Sequence, residues 1–199
     1  MYRNFNRFFY LFLIIMSISG CAGTLVGGAA SIGLASVQER SIKDAAIDLK
    51  LEVQIQEKLF RTNSGKLFAN VGVTILEQRV MLVGNVESQK LRDLASEIAW
   101  GISPKIKDVL NELTIGDNTS LVSEAKDARI SLSLSGLLIG DAEISDINFS
   151  HSVSKQIIFL IGIAQDTNEL DKVIYHARTV KGVKKVISHL ILKNDKKRM

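Results

Sequence analysis

Two short runs decide the fold: "RVMLVGNV" at residues 79–86 and "QIIFLIGI" at residues 156–163. Each is almost wholly apolar and β-branched, and each carries a glycine near its end, Gly84 answering Gly162 at an offset of 78 residues. Runs of this length and composition read as strands. Their flanks repeat as well. Upstream, Leu51, Ile55 and Leu59 recur at helical spacing, and Ile130, Leu134 and Leu138 do the same 79 residues later. Downstream, Leu91, Leu94, Ala95 and Ile98 are answered by Leu170, Val173, Ile174 and Ala177, again at 79. Finally "VLNELTI" (109–115) matches "VISHLIL" (186–192) at 77. Four consecutive elements in register are an internal repeat, to be read before any single motif.

Each copy has the order helix, strand, strand, helix, strand. The partner strands are expected in "NVGVTIL" (70–76) and "AEISDINFS" (142–150), with turns at Glu77-Gln78 and around Ser152–Lys155. Two amphipathic helices covering one face of a three-stranded mixed sheet make a two-layer α+β unit. The glycine of each central strand is expected to free the backbone for the exit turn. The expected units span residues 42–117 and 124–193, with a basic tail at 194–199.

The N-terminus has a different character. Arg3 and Arg7 precede an apolar stretch of about ten residues, Phe8 to Ile18, too short to span a bilayer stably. Ser19 and Gly20 then lead to Cys21, the only cysteine of the chain. Residues 1–20 therefore read as a secretory signal, and Ile18-Ser19-Gly20-Cys21 as the site where a bacterial lipoprotein is lipidated and cleaved. Acyl chains on the Cys21 sulfur and amine would anchor the chain firmly, since each buried methylene contributes about 0.8 kcal/mol. A lone cysteine also excludes an internal disulfide framework. Residues 22–36, "AGTLVGGAASIGLAS", carry no charge and read as part of a tether over 21–41.

Apolar content of 46% against 23% charged describes a globular chain rather than a disordered one. Without the two arginines of the signal, 23 basic residues face 21 acidic ones, a surplus too small to argue for nucleic acid. The tail "KNDKKRM" concentrates Lys193, Lys196, Lys197 and Arg198, which reads as a solvated or lipid-phosphate-facing end. No catalytic set emerges. His151, His176 and His189 fall in a strand, a helix and a strand without metal-ligand spacing, and no serine occupies a nucleophile elbow. "LVGGAASIG" follows no strand, so it is no phosphate loop. The chain reads as a non-enzyme with no cofactor and no metal.

The repeat resembles the BON domain, whose pattern is an apolar strand ending in glycine, a helix, and a Gly-Val pair before the last strand. "IFLIG", the helix from Glu169 and Gly182-Val183 in "VKGVKKV" match it. The first copy departs where Lys105 stands in place of that glycine, beside the only proline, Pro104. Lipidated cysteine, tether and two tandem modules together resemble the dual-BON outer-membrane lipoproteins of Gram-negative bacteria. The resemblance implies a lipid-anchored protein on the periplasmic face of the outer membrane, with Ala22 after the cysteine suiting that sorting. It also implies binding to anionic phospholipid through the first helix of the second module and support of envelope integrity.

The residues of that helix agree with the implication. With Ile130, Leu134, Leu137 and Leu138 as the core stripe, a rotation of roughly 100° per residue puts Leu132, Gly136 and Ile139 on the far side. Arg129 flanks them, where the family resemblance would have an aromatic, and Ser133 shares the face. From Ala128 to Gly140 the only charge is Arg129. The equivalent positions of the first copy are Lys50, Val53, Glu57 and Phe60, a more mixed face. The candidate lipid-binding residues are thus Arg129, Leu132, Ser133, Gly136 and Ile139. Two other readings stand beside this one. In the first, Leu132 and Ile139 pack against the first module. In the second, the face is a scaffold surface for envelope proteins such as the outer-membrane assembly machinery.

Overall fold

The computed structural model describes residues 41–62, 70–116 and 120–198. The signal, Cys21 and the tether up to residue 40 lie outside these residues. Residues 37–199 form one compact unit that contains all three apolar cores.

The first copy runs α1 (Ile42–Arg61), β1 (Val71–Leu76), β2 (Arg79–Val86), α2 (Gln89–Gly101) and β3 (Asp108–Ile115). The second runs α3 (Leu121–Gly140), β4 (Phe149–Ser154), β5 (Ile157–Ala164), α4 (Thr167–Thr179) and β6 (Lys185–Leu192). All four helices start on a side-chain cap, Ser41, Ser88, Ser120 and Asp166, each accepting a backbone N–H of the first turn. In each sheet the hairpin is antiparallel and the last strand joins in parallel, giving the orders β1-β2-β3 and β4-β5-β6. The expected α+β class and the helix-strand-strand-helix-strand order are those found.

A buried carboxylate locks each helix to its hairpin. Asp48 of α1 accepts the backbone N–H groups of Glu77 and Gln78 at 2.7 and 2.8 Å. Asp127 of α3 accepts those of Lys155 and Gln156 at 2.8 and 2.7 Å. Both turn residues have positive φ, 50° and 62° in the first copy and 53° and 62° in the second. Two-residue turns of this kind normally favour Asn-Gly or Asp-Gly. Here no glycine is present, and charge-assisted hydrogen bonds offset the left-handed backbone.

The two copies do not remain separate two-layer units. All eight residues of β2 and seven of eight in β5 are buried, which explains why these runs are continuously apolar rather than alternating. One face of each sheet meets its own helices. The other faces meet each other: Leu76, Met81 and Val83 pack with Phe159, Ile161, Ile163 and Ile191. The result is four layers, helices–sheet–sheet–helices. Residues equivalent in the repeat touch one another across the junction, Thr74 Oγ1 with Ser152 Oγ at 3.5 Å and Glu112 Oε1 with His189 Nε2 at 2.8 Å. Contacts between equivalent positions mark a self-complementary, approximately two-fold packing.

Three expectations are corrected. Residues 142–148 are not strand but turn and a 3-10 helix at Asp146–Asn148. Side chains satisfy that backbone instead of a ladder: Glu143 N–H donates to Asp141 Oδ1 and Ser145 N–H to Glu169 Oε1. Gly84 and Gly162 lie inside β2 and β5 rather than at an exit. A Cβ on Gly84 would overlap the Asn70 carbonyl, and one on Gly162 would come within 2.5 Å of the Phe149 ring. Close approach of the neighbouring strand demands glycine there. The tail is not simply solvated either, since Arg198 forms a bidentate pair with Glu77 at 2.6 and 2.8 Å.

Asp48→Ala and Asp127→Ala are each expected to lower unfolding free energy by about 2–4 kcal/mol, because two buried N–H groups lose their acceptor. Urea denaturation followed by circular dichroism measures this. Phe159→Ala, at the sheet–sheet core, is expected to cost about 3–5 kcal/mol within one cooperative transition. Two separated transitions in the unsubstituted protein would contradict the shared core.

Candidate membrane-contact helix

α3 divides cleanly. Ile130, Leu134 and Leu138 are buried against the second sheet together with Asp127. Opposite them, Leu132 is 76% exposed and Ile139 69% exposed. Arg129, Ser133 and Gly136 are exposed on the same side, and a Cβ built on Gly136 meets nothing within 4 Å. The five residues expected from sequence therefore share one outward face. Ser133 Oγ donates back to the Arg129 carbonyl at 2.8 Å, so its hydroxyl is turned onto the helix backbone. Leu121 and Val122, exposed in the first turn that the Ser120 cap begins, extend the apolar surface ahead of Ala128.

The reading in which Leu132 and Ile139 pack against the first module is overturned. That module meets the second through its sheet, on the far side of β4–β6, which leaves the outer helix face open. α1 exposes Leu49, Val53 and Phe60 on its own outer face. It intersperses them with charge, including the exposed Glu57–Arg61 pair at 2.8 Å. The two outer faces thus point away from each other.

Each of the three histidines has a hydrogen-bond partner. His151 on β4 lies under α3, its Nε2 3.0 Å from Ser131 Oγ and 3.2 Å from the Ser131 carbonyl. Burial lowers its pKa, with the Ser131 contact opposing. His176 bonds Asp141 at 2.8 Å. That bond, aided by the Glu143 N–H, holds the Asp141 carboxyl below the usual range. His189 bonds Glu112. Among the described residues no group of three potential metal ligands converges. Nor, among them, is any helix long and apolar enough to cross a membrane.

The model of the BON domain matches residues 47–117 and 126–194, one copy on each sheet. The chain belongs to the BON family, and it carries the domain twice. A protein of Anaplasma centrale, described as an uncharacterized protein in the gshII 5' region, is 37% identical over 158 residues, covering 79% of this chain and 99% of that one. The outer membrane lipoprotein DolP of Haemophilus influenzae is 23% identical over 170 residues, covering 85% and 87%. The 21 kDa hemolysin of Actinobacillus pleuropneumoniae is 24% identical over 151 residues, covering 76% and 77%. Each match is longer than either module of this chain, so each reaches into both copies.

The His151 contact generates a pH prediction. Folding favours the neutral ring, so the unfolded chain binds the extra proton. This contribution is complete above about pH 6.5 and is lost as pH falls below it. The urea midpoint should therefore drop between pH 7.5 and 5.5, and His151→Gln should reduce that drop.

Proposed function

We propose that this BON protein is an outer-membrane-associated lipoprotein facing the periplasm, anchored through acyl chains on Cys21. It binds anionic phospholipid with the outer face of α3 and supports envelope integrity as a binding protein rather than a catalyst. The observation that carries this reading is the exposed pair Leu132 and Ile139 beside Arg129 on a helix face with no other charge from Ala128 to Gly140. Apolar side chains of this size enter the boundary between headgroups and acyl chains, and a cation beside them meets phosphate. Gly136 keeps the middle of the face low, so that headgroups approach the helix backbone. The likeness to a relative named as an outer membrane lipoprotein supports the compartment.

Anchor and helix reinforce each other. A chain tethered by lipid at Cys21 holds α3 at high local concentration near the bilayer, so a modest intrinsic affinity suffices. An arginine attracts phosphate without inserting as an aromatic does, which makes the contact sensitive to salt.

A second reading draws on α1. Its exposed Leu49, Val53 and Phe60 lie on the opposite outer layer, and one flat bilayer cannot touch both layers at once. That face suits a protein of the envelope, with the BON pair acting as a scaffold between membrane and partner.

Co-sedimentation of residues 37–199 with liposomes tests the leading reading. Binding to phosphatidylglycerol vesicles and not to phosphatidylcholine vesicles is expected. Arg129→Glu should weaken it more than about fivefold, since each basic residue near such a surface contributes about 1 kcal/mol and the new carboxylate is repelled. Leu132→Glu should abolish it. Equal binding by both variants would remove α3 from the contact, and no binding to either vesicle would favour the scaffold.

A further inference from the structure

The approximate two-fold packing of the sheets produces two equivalent ends, and the chain has treated them differently. At one end lies Arg79, 3% exposed, its Nη2 donating to the His189 carbonyl at 3.1 Å. Among the described residues its Nε and Nη1 have no partner. The C-terminal turn crosses above it: Arg198 grips Glu77, and Lys107 Nζ donates to the Arg198 carbonyl at 3.0 Å. This end carries a buried guanidinium, and the C-terminal turn walls a separate polar hollow of about 360 Å³ lined by Glu77, Gln78, Lys107 and Lys193.

The repeat places Ile157 where the first copy has Arg79, and Lys185 where it has Asp108, as the parallel registers Arg79–Asp108 and Ile157–Lys185 state. The second end has no arginine at the position equivalent to Arg79. A groove of about 380 Å³ lies there instead, between β3 of one module and β5 and β6 of the other. Its accessible apolar surface is Ile115, Ile157 and Ile187, above the buried Leu113 and Phe159, and its cations are Arg92 and Lys185. Ile115 stands 49% exposed at the lip. The one acid of the lining, Glu112, is engaged by His189. Among the described residues neither cation has a carboxylate partner; Arg92 Nη2 donates to the Asn111 carbonyl at 3.0 Å, which orients its guanidinium.

We propose that this open end is a binding site for a single-chain anionic amphiphile. The apolar chain lies along Ile115, Ile157 and Ile187, and the anionic head sits between Arg92 and Lys185. The volume falls in the range of small-ligand sites, about 300–1,000 Å³. Apolar floor and unpaired cations together select an anion bearing a hydrocarbon chain; a bare anion gains nothing from the isoleucines, and a neutral chain gains nothing from the cations. The head is a carboxylate or a phosphodiester, found in a free fatty acid or a lysophospholipid. The site is separate from the outer face of α3 and does not depend on its function.

Isothermal titration of residues 37–199 tests the site, with laurate and lysophosphatidylglycerol in separate arms and lysophosphatidylcholine as the zwitterionic control, all below their micellar concentrations. Saturable one-to-one binding of at least one anionic probe is expected, and the tighter arm names the source. Lys185→Glu, a surface change that spares the core, should weaken binding tenfold or more. Ile157→Arg, which installs the residue of the equivalent position in the first copy, should do the same. Leu132→Glu on α3 should leave it unchanged. Absence of saturable binding in both anionic arms overturns the proposal. Equal affinity for lysophosphatidylcholine, unaltered binding by Lys185→Glu, or loss of binding by Leu132→Glu does so too.

Discussion

A strand buried on both faces needs two covers, and in this chain each central strand finds only one of them within its own module. β2 and β5 present apolar side chains toward their helices and equally away from them. Left as a two-layer unit, each module would expose Met81 and Val83, or Phe159 and Ile161, to water. The third core, built of these residues, is the consequence. Burial of several large aliphatic side chains at about 1.5–3 kcal/mol each is enough to join the copies. Once the sheets meet, the helices must be outermost, and everything on their outward faces becomes available for contact.

The packing repeats the logic of a symmetric dimer inside one chain. Thr74 meets Ser152 and Glu112 meets His189, each pair being the same position in the two copies. Symmetry then breaks where the copies have diverged. Arg79 and Ile157 occupy equivalent places with opposite chemistry, and only one end receives the C-terminal turn. Divergence on the outer helices follows the same course: α3 keeps a nearly uncharged face, while α1 alternates apolar residues with Lys50, Glu57 and Arg61.

Much of this was legible in the residues. Apolar spacing placed the helices, and the Ile55/Leu134 and Leu59/Leu138 pairs proved to be core in both copies. The turn at Glu77-Gln78 was legible from its position between two strands, but its mechanism was not. Asp48 and Asp127 look like ordinary helix-surface acids until the hairpin folds over them, because the distance in sequence is about thirty residues. The stretch 142–150 misled for a local reason. Its β-branched Ile144 and Ile147 ahead of Phe149 imitate a strand by composition, yet Asp141 and Glu169 take the backbone N–H groups that a ladder would have used. The five residues of the α3 face were readable from helical geometry alone, since a 3.6-residue period fixes which side chains oppose a known core stripe.

The sequence alone determined the repeat and the order of elements in each module, because those follow from local periodicity. It also marked Cys21 and the sparse charge of α3. Only tertiary structure decided that the modules share a core, since a continuous apolar strand announces two buried faces without naming what covers the second. It likewise decided that Leu132 and Ile139 remain outside, that Arg198 returns to Glu77, and that one end of the junction stays open. Each of these depends on which surfaces meet across more than seventy residues of chain, and no local pattern carries that information.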